Sequence, residues 1–305
     1  MSLTIENNIL MKNGKPFFYL ADTCWSAFTN IKDNDWDYYL DYRKSQGFNT
    51  LQINILPQWD ASATDLCYEP FEVIDGKYNY KKLNLSYFEH ADKMCARAKE
   101  KGFELALVIM WCNFVPDTWA SQFYSKGIMP IDCIDNYINI IHETFTKYEP
   151  LYIISGDTDF NTEQCIEYYV KCAKQIKELA PNCLYTTHIK GRYTYIPDNL
   201  YSYLDLCFYQ SGHNAQNLGM PYLLAEEMAD KYKGKPVINS EPCYEDMGYS
   251  RQMYGRWSKE DIIRAAWMSL LSGASAGITY GAAGIYSWHT TNKGFEASLG
   301  EGFAT

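Results

Sequence analysis

The sequence predicts a single (β/α)₈ barrel, in which a closed parallel sheet is surrounded by helices. Eight short apolar runs rich in β-branched residues alternate with amphipathic helical segments, which is typical of parallel βα units. The length of 305 residues is near the usual size of such a barrel, about 250 residues. No glycine-rich phosphate loop follows the first strand, which argues against an open nucleotide-binding sheet. Eight units in series therefore favour closure into a barrel.

The chain begins with a predicted β-hairpin over residues 1–16. Residues 5–11 and 16–20 are apolar runs, and Asn13-Gly14 between them is a strong signal for a two-residue turn because both residues tolerate positive φ. From Phe17 onward strands and helices alternate. The eight predicted strands span residues 17–22, 48–56, 103–110, 151–157, 184–189, 204–210, 236–241 and 276–280.

The predicted helices fit between these strands, and several of their ends carry clear signals. Gly47 and Gly102 each follow a basic last turn, an arrangement that ends a helix before a strand. Ser258 is the N-cap of the last predicted helix, with Asp261 three residues on. The helices span residues 33–46, 84–101, 131–147, 162–179 and 221–232, and a sixth follows Ser258 with a predicted buried face of Ile262, Ile263, Ala266, Trp267, Leu270 and Leu271. Residues 190–202 are expected to hold only a turn or two.

We expect one domain over residues 1–305, because no linker rich in proline or serine divides the chain. Residues 289–305 are a predicted C-terminal tail that is rich in glycine and threonine and too short for a full eighth helix. Two interpretations of this tail stay open: the last helix is absent, or the natural protein continues.

Composition narrows the classes of partner. The net charge of -10 and the isoelectric point near 5.0 argue against nucleic acid or an anionic membrane surface. The chain has 27 Tyr and 8 Trp, and such flat amphipathic rings suit the apolar faces of sugars. A tyrosine-rich core would give the same composition. Composition alone therefore leaves a carbohydrate partner and a tyrosine-rich core both open, and it indicates no particular oligomeric state.

The ten cysteines are scattered and include no CxxC pair, as expected for buried free thiols in a reducing compartment. The first eleven residues lack a basic region followed by an apolar run, so no signal peptide is predicted. No stretch reaches the length of about 18 apolar residues that a membrane span needs. The sequence therefore predicts a cytoplasmic protein.

In a barrel the active site lies at the carboxyl ends of the strands. Polar and aromatic residues at these ends are predicted to bind substrate: Asp22, Trp25, Asn54, Trp111, His188, Tyr209, Gln210, His213, Tyr280 and Trp288. Gln58, Trp59, Asn113 and His289 extend the same rim. No lysine lies at a strand end, which argues against Schiff-base chemistry.

Asp157 and Glu241 are the predicted catalytic pair. Each follows a continuous apolar run, so each carboxylate emerges where the fourth or the seventh strand leaves the core. These two strands face each other across a small barrel, which suits two carboxylates that flank one bond. Retaining glycosidases use such a pair about 5–5.5 Å apart, one as nucleophile and one as acid and then base. For either residue alone, a capping or ion-paired role is the competing interpretation.

Two other classes stay open. His188, His213 and His289 with Asp22 could gather around a metal ion, as in metal-dependent hydrolases or isomerases. No His-x-His pair follows the first strand and no Cys/His cluster has ligand spacing, so we predict no metal and no cofactor. The second class is a carbohydrate-binding barrel without catalytic activity.

Several motifs resemble the apiosidase-like glycoside hydrolases, and the resemblance covers about residues 3 to 288. The most specific are Asp-Thr-x-Trp at 22–25 and Gln-Gly-Phe-Asn at 46–49. Ile-Ser-Gly-Asp at 154–157, Tyr-Gln-Ser-Gly-His at 209–213 and Tyr-Gly at 280–281 belong to the same pattern.

This resemblance implies a retaining barrel glycosidase with an acid/base after strand four and a nucleophile after strand seven. Asp157 matches the first position and Glu241 the second. In much of the larger clan the acid/base is a glutamate preceded by asparagine, whereas here an aspartate follows glycine, and Asp159 is a rival two residues away. We therefore expect cleavage of a β-type bond in plant or microbial poly- or oligosaccharides; the identity of the sugar depends on loop geometry.

Overall fold

The computed structural model describes residues 3–59 and 68–288, and the first of these residues form a three-stranded antiparallel sheet. Its strands are β1 (Leu3–Glu6), β2 (Ile9–Lys12) and β3 (Lys15–Pro16). The turn at Asn13-Gly14 lies where it was predicted, with φ of 55° and 70°. Asn7 and Asn8 also have positive φ and form a second turn, which divides the predicted run 5–11 into two strands. The tail predicted over 289–305 lies outside the described residues.

The rest of the described chain alternates strands and helices as the sequence predicts. In chain order the elements are β4 (Tyr19–Thr23), α1 (Ala27–Asn30), α2 (Asp33–Ser45), β5 (Thr50–Asn54), β6 (Phe71–Ile74), β7 (Lys77–Leu83), α3 (Leu85–Glu100), β8 (Glu104–Trp111), α4 (Ile134–Phe145), β9 (Leu151–Gly156), α5 (Glu163–Leu179), β10 (Leu184–Thr186), α6 (Asp198–Tyr201), β11 (Cys207–Tyr209), α7 (Met220–Lys231), β12 (Val237–Asn239), α8 (Lys259–Leu271) and β13 (Gly277–Tyr280). Residues 190–202 hold a single short helix, α6, as expected.

Eight of these strands form one parallel sheet, in the order β10-β9-β8-β5-β4-β13-β12-β11. Its two ends meet, because the N–H of Asp205 donates to the carbonyl of Tyr185 at 2.8 Å. At the carboxyl edge the N–H of Arg192 donates to the carbonyl of Gln210, also at 2.8 Å. The sheet is thus nearly closed, with its strands in chain order, and the predicted (β/α)₈ barrel is confirmed.

The antiparallel pair β6–β7 is an element that the sequence prediction lacks. It lies in the segment that follows β5, and Asp75-Gly76 forms its turn with φ of 48° and 77°. An Asp-Gly pair between alternating residues is a strong hairpin signal, and Tyr78 and Tyr80 supply the buried side of that alternation. The sequence thus contains the signal for this hairpin, but the hairpin lies outside the regular alternation of strands and helices on which the prediction was based.

The start of α8 is confirmed, but its predicted buried face is partly wrong. The side chain of Ser258 accepts from the N–H of Asp261, and the carboxylate of Asp261 accepts from the N–H of Ser258. The face toward the barrel consists of Ile262, Ala265 and Ser269, and the Ser269 hydroxyl accepts from the Asn239 side chain of β12. The stripe of Ile263, Trp267 and Leu271 points away from the barrel, with Leu271 79% exposed. Small residues mark the buried face here because the helix approaches the strands closely.

The core fills the barrel and the layer between strands and helices. Every residue of β8 and of β9 is buried. Nine described cysteines are buried free thiols, as predicted, and Cys67 lies outside the described residues. In the part of the chain that is described, no helix combines the length and the apolar character needed to cross a membrane.

An ion pair is buried between the barrel and α2. The carboxylate of Asp22, at the end of β4, accepts from Arg43 Nε at 2.7 Å and from the Tyr39 hydroxyl at 2.6 Å. Both charged side chains are fully buried. Burial raises the pKa of Asp22, although the charge of Arg43 and the two hydrogen bonds act in the opposite direction. A buried pair of this kind is sensitive to the loss of one partner, because the other charge is then left uncompensated.

We expect Asp22→Asn to destabilise the protein by about 3–5 kcal/mol, because Arg43 would keep its charge in the core without a counter-ion. The measurement is the free energy of unfolding in urea. Asp37→Asn is the matched control, since Asp37 pairs with Arg97 at 2.5 Å on the exposed surface and its loss should cost about 1 kcal/mol or less. Equal effects of the two substitutions would contradict the prediction.

Candidate active site

A cavity of about 480 Å³ opens at the carboxyl end of the barrel. Its wall contains both predicted catalytic carboxylates, Asp157 and Glu241. The other lining residues are mostly aromatic, amide or basic: Trp25, Gln58, Trp59, Trp111, Trp119, Lys190, Gly191, Arg192, Gln210, Gly212, His213, Asn214, Tyr244, Met247, Ser250, Arg251 and Tyr286. Large aromatic walls with a few convergent polar groups are typical of sites for small organic ligands.

Asp157 is brought to the cavity by the end of β9. It follows Gly156, where an added Cβ would lie 2.0 Å from Cε3 of Trp111, so only glycine lets the strand pass this indole. Asp157 has a φ of 50°, a left-handed conformation that aspartate tolerates better than most residues. The indole N–H of Trp119 donates to the carbonyl of Asp157 at 2.8 Å and helps to hold this backbone. The carboxylate is half-buried in the cavity wall.

Glu241 lies two residues after β12, and both of its carboxylate oxygens are engaged by histidines. Nε2 of His188 is 2.8 Å from Oε2, and Nε2 of His213 is 2.8 Å from Oε1. Burial alone would raise the pKa of Glu241, but the hydrogen bonds and charges of the two histidines outweigh it and lower the pKa to about 2. Glu241 is therefore a buried carboxylate held in its ionised form.

His188 is fixed from three sides. Its Nδ1 is 2.8 Å from the Ser240 hydroxyl, so the ring is tied to two consecutive residues of the segment after β12. The ring also stacks on Trp111 with centroids 5.5 Å apart, and Trp25 lies 5.5 Å away. The indole of Trp25 donates to the Tyr244 hydroxyl at 3.0 Å. Aromatic packing thus determines the orientation of the group that binds Glu241.

Basic groups form the remaining part of the cavity wall. Lys190 Nζ donates to Oδ2 of Asp159 at 2.8 Å, and the Asp159 side chain is only 2% exposed. Arg192 donates through Nη2 to the carbonyl of Asn214, while its Nε is buried and has no hydrogen-bond partner among the described residues. Burial and the nearby charge of Arg251 lower the pKa of Arg192. Two guanidinium groups therefore lie close to each other at this wall.

The structure brings together six of the twelve predicted site residues in the cavity wall: Asp157, Glu241, Trp25, Trp111, Gln210 and His213. His188 lies directly behind Glu241 and is fully buried. Asn54 is also buried, and it reaches the wall only through Gln58, to which its side chain donates at 3.1 Å.

The remaining four predicted residues are not in the cavity wall and contact other parts of the barrel, so their role as substrate contacts stays a prediction that the cavity does not support. Asp22 binds Arg43 behind the barrel, and the Tyr280 hydroxyl donates to Glu245 at 2.8 Å. The Tyr209 hydroxyl donates to the carbonyl of Pro221 in α7. Trp288 is buried with its ring against Tyr39, and His289 lies outside the described residues.

Successive side chains of a strand alternate between its two faces, so a position at a strand end does not determine on which side of the sheet the residue lies.

Sequence reasoning missed several residues of the cavity wall. Trp119, Tyr244 and Tyr286 come from loops whose paths no periodicity predicts. Arg192 and Arg251 were also missed. The expectation that no lysine lies at a strand end is wrong, because Lys190 directly follows the predicted fifth strand and lines the cavity. Among the described residues no group of three or more His, Cys, Asp or Glu side chains is arranged to hold a metal ion.

Comparisons with known proteins agree with this architecture. The sequence profile of a family described as "Apiosidase-like, catalytic domain" matches residues 5–300. A glycoside hydrolase family 5 structure from Bacteroides vulgatus is similar with a TM-score of 0.81 and 24% identity, over 98% of this chain and 66% of that one. A second structure, named glycoside hydrolase, has the same TM-score and identity over 99% and 70%. An endo-1,4-beta-D-mannanase from Thermotoga petrophila is similar at a TM-score of 0.58 and 17% identity, over 87% and 88%.

At these identities the structural likenesses show the fold alone. The chain spans about two thirds of the length of the first two structures. A comparison with curated protein sequences gives no match.

The depressed pKa of Glu241 predicts a specific dependence of stability on pH. Because the folded-state pKa of about 2 lies below the ordinary 4.5, ionised Glu241 stabilises the fold above pH 4.5, and this contribution is lost as the pH falls from there through about 2. We expect the difference in unfolding free energy between the wild type and Glu241→Gln to shrink over that range, by on the order of 3 kcal/mol in total. Urea titrations between pH 7 and pH 3 measure the part of this change above pH 3, which is about 2 kcal/mol. A difference that is unchanged below pH 4.5 would show that the histidines do not hold Glu241 ionised.

Proposed function

Since this chain belongs to the apiosidase-like family, we propose that it is a retaining glycoside hydrolase that cleaves a β-type bond in plant or microbial poly- or oligosaccharides. The observation that carries the proposal is the pair of carboxylates in one aromatic-walled cavity, delivered by strands on opposite sides of the barrel. Their surroundings differ, since two histidines hold Glu241 ionised, while Asp157 is half-buried among aromatic rings and the nearby Lys190 is paired with Asp159. Two carboxyl groups in different environments suit two different roles.

Glu241 is the proposed nucleophile. An ionised oxygen of Glu241 forms a bond to the anomeric carbon while the bond from that carbon to the leaving oxygen breaks. In the same step Asp157 transfers its proton to the leaving oxygen. In the second step Asp157 takes a proton from water, the water oxygen bonds to the anomeric carbon, and Glu241 leaves as a carboxylate. The low pKa of Glu241 makes it both available for attack and a good leaving group.

The aromatic wall supports a carbohydrate as the substrate. Trp25, Trp59, Trp111 and Trp119 lie in the wall with Tyr244 and Tyr286. Indole and phenol rings pack against the apolar C–H faces of sugars, while amide and imidazole groups bind hydroxyls. Within residues 3–59 and 68–288 the buried indole N–H of Trp111 has no hydrogen-bond partner, and it is a donor suited to a sugar hydroxyl.

The first test separates the two carboxylates. We expect Glu241→Gln and Asp157→Asn each to reduce hydrolysis of an oligosaccharide by about 10³-fold or more. Asp157→Asn should keep much of its first-step rate on a dinitrophenyl glycoside, whose leaving group needs no proton. Azide should then accelerate Asp157→Asn and give a glycosyl azide with the anomeric configuration of the substrate.

Circular dichroism of each variant is the control for folding. NMR of the first-formed product in the wild-type reaction identifies the stereochemical outcome. An inverted product rejects the retaining mechanism, and full activity of either variant rejects the assigned role. Binding of oligosaccharides without turnover of any of them would identify a carbohydrate-binding barrel instead.

The basic side of the cavity favours a substrate that carries a carboxylate. Among the described residues neither Arg192 nor Arg251 has a carboxylate within ion-pair distance, although the chain as a whole carries a net charge of -10. The mutual repulsion of the two guanidinium groups would be relieved by an anion between them, and arginine binds carboxylates through paired hydrogen bonds. The proposed substrate class therefore includes a uronic acid residue or another acidic sugar.

We expect Arg192→Met to weaken the binding of an acidic oligosaccharide by about 10- to 100-fold, because a hydrogen-bonded charge pair is lost. Binding of the same oligosaccharide after reduction of its carboxyl group should change by less than about threefold. Calorimetric titration measures both affinities, and Arg264→Met, a substitution on the surface of α8, is the matched control. Equal loss for both ligands would contradict recognition of the carboxylate.

A further inference from the structure

Two aspartates follow β9, and they have different surroundings. Asp157 lines the cavity, whereas Asp159 is absent from the cavity wall and its side chain is 2% exposed. Oδ2 of Asp159 accepts from Lys190 Nζ at 2.8 Å, and Oδ1 is buried with no hydrogen-bond partner in the part of the chain that the structure describes. The difference in exposure favours Asp157 as the proposed acid/base, and it leaves the role of Asp159 to be explained.

Lys190 lies beside both aspartates because two chain segments run side by side. Thr158 and Ile189 form a parallel bridge, and the N–H of Lys190 donates to the carbonyl of Thr158 at 2.8 Å. This register places Lys190 next to the residue between the two aspartates. The Lys190 side chain is 32% exposed and lines the same cavity as Asp157.

A cation in this position would oppose the chemistry proposed for Asp157. A nearby positive charge favours the ionised form of a carboxylic acid and lowers its pKa by about one to three units. A general acid must keep its proton at the working pH. A lysine without a counter-ion at this place would remove the proton that the leaving group requires.

Asp159 supplies the opposite charge. Burial lowers the pKa of Lys190, but the hydrogen bond and charge of Asp159, with a further contribution from Asp157, outweigh burial and raise it. Lys190 is therefore charged and bound to Asp159. A buried carboxylate with one unpartnered oxygen is not an efficient way to gain stability, because its desolvation opposes its attraction to the lysine.

We propose that Asp159 is a positioning residue, the counter-ion that binds the Lys190 ammonium and so preserves the proton on the acid/base Asp157. This inference rests on the proposed function, in which Asp157 donates a proton to the leaving oxygen. Asp159 touches no part of the cavity and acts through Lys190. The negative charge of Asp159 opposes the field of the Lys190 ammonium at Asp157, whereas the lysine alone would leave its positive charge uncompensated.

Charged and titratable groups from several elements face the pair. Cys165 of α5 has its pKa raised by burial and by the charge of Asp159, and Glu241 lines the same cavity as Asp157. Cys112, at the end of β8, is buried and is affected by the charges of both aspartates, which with burial raise its pKa. The ring of Tyr193 lies 5.2 Å from Lys190 Nζ. Arg192 is two residues from Lys190 along the chain and faces Arg251 in the same cavity. None of these groups both accepts a hydrogen bond from the Lys190 ammonium and carries a negative charge, as Asp159 does.

The test compares Asp159→Asn, Lys190→Met and the double variant in the full chain. Asp159→Asn should move the alkaline limb of the kcat/KM profile for an unactivated oligosaccharide to lower pH by about one unit. At pH 7 the rate on that substrate should fall by about tenfold, while the rate on a dinitrophenyl glycoside changes by less than about threefold. The double variant should restore the limb to within about 0.3 unit of the wild type, because the cation is gone.

The pH profile of the double variant distinguishes the possible roles of Asp159. If Asp159 were itself the acid/base, removal of Lys190 could not restore Asp159→Asn. If Asp159 only stabilised the fold, both substrates would be affected alike and the limb would not move. An unmoved limb, or a moved limb that Lys190→Met fails to restore, overturns the inference.

Two further measurements test the inference without Asp159→Asn. If Asp159→Asn does not fold, Lys190→Met alone should move the alkaline limb to higher pH, because the carboxylate of Asp159 is then left uncompensated near Asp157. The side-chain carboxyl ¹³C signal of Asp157, assigned with Asp157→Asn, reports its pKa without turnover. If the wild type hydrolyses no glycoside, the proposed function fails, and an unchanged ¹³C titration in Lys190→Met would separately overturn the inference.

Discussion

The contact of Glu241 with two histidines is the interaction on which the rest of the site depends. Glu241 follows β12, while His188 and His213 follow β10 and β11, so one carboxylate ties three consecutive parts of the barrel edge together. It does so across the seam between β10 and β11, where the sheet has no ladder of its own and closes through a few backbone hydrogen bonds. Because the carboxylate is buried, its ionised form is stable only where donors satisfy its oxygens, and the two histidines satisfy both of them. The same hydrogen bonds and charges outweigh burial and lower the pKa of Glu241 to about 2.

The aromatic residues provide the rigidity that this contact needs. Trp111 packs on His188 and also occupies the space above Gly156, so one indole orients the histidine behind Glu241 and forces the strand bearing Asp157 to use glycine. Trp111 thus packs against both the histidine that binds Glu241 and the glycine that precedes Asp157. The combination of Gly156 with Asp157 in a left-handed conformation is the local consequence of that packing.

The family was identified from the sequence, and the profile match over residues 5–300 confirms it. The eight strands and the capping box at Ser258 were also predicted correctly, since alternating periodicity and local capping signals depend on neighbouring residues. The buried face of α8 was predicted wrongly, because close packing on β12 favours Ala265 and Ser269 over the larger residues Trp267 and Leu271. The hairpin β6–β7 was missed despite its Asp-Gly turn.

The sequence by itself determined that the chain is a barrel with carboxylates after the fourth and seventh strands, because strand ends are recognisable from the residues on either side of them. Only the tertiary structure decided which strand-end residues enter the cavity. Asp22 and Asp157 are both aspartates at the ends of strands, yet Asp22 pairs with Arg43 behind the sheet and Asp157 lines the cavity. Likewise, the distinction between Asp157 and Asp159 arises from Lys190, which comes from the next strand along. Side-chain direction depends on alternation along a strand and charge pairing depends on the register between strands, and neither is set by the local sequence.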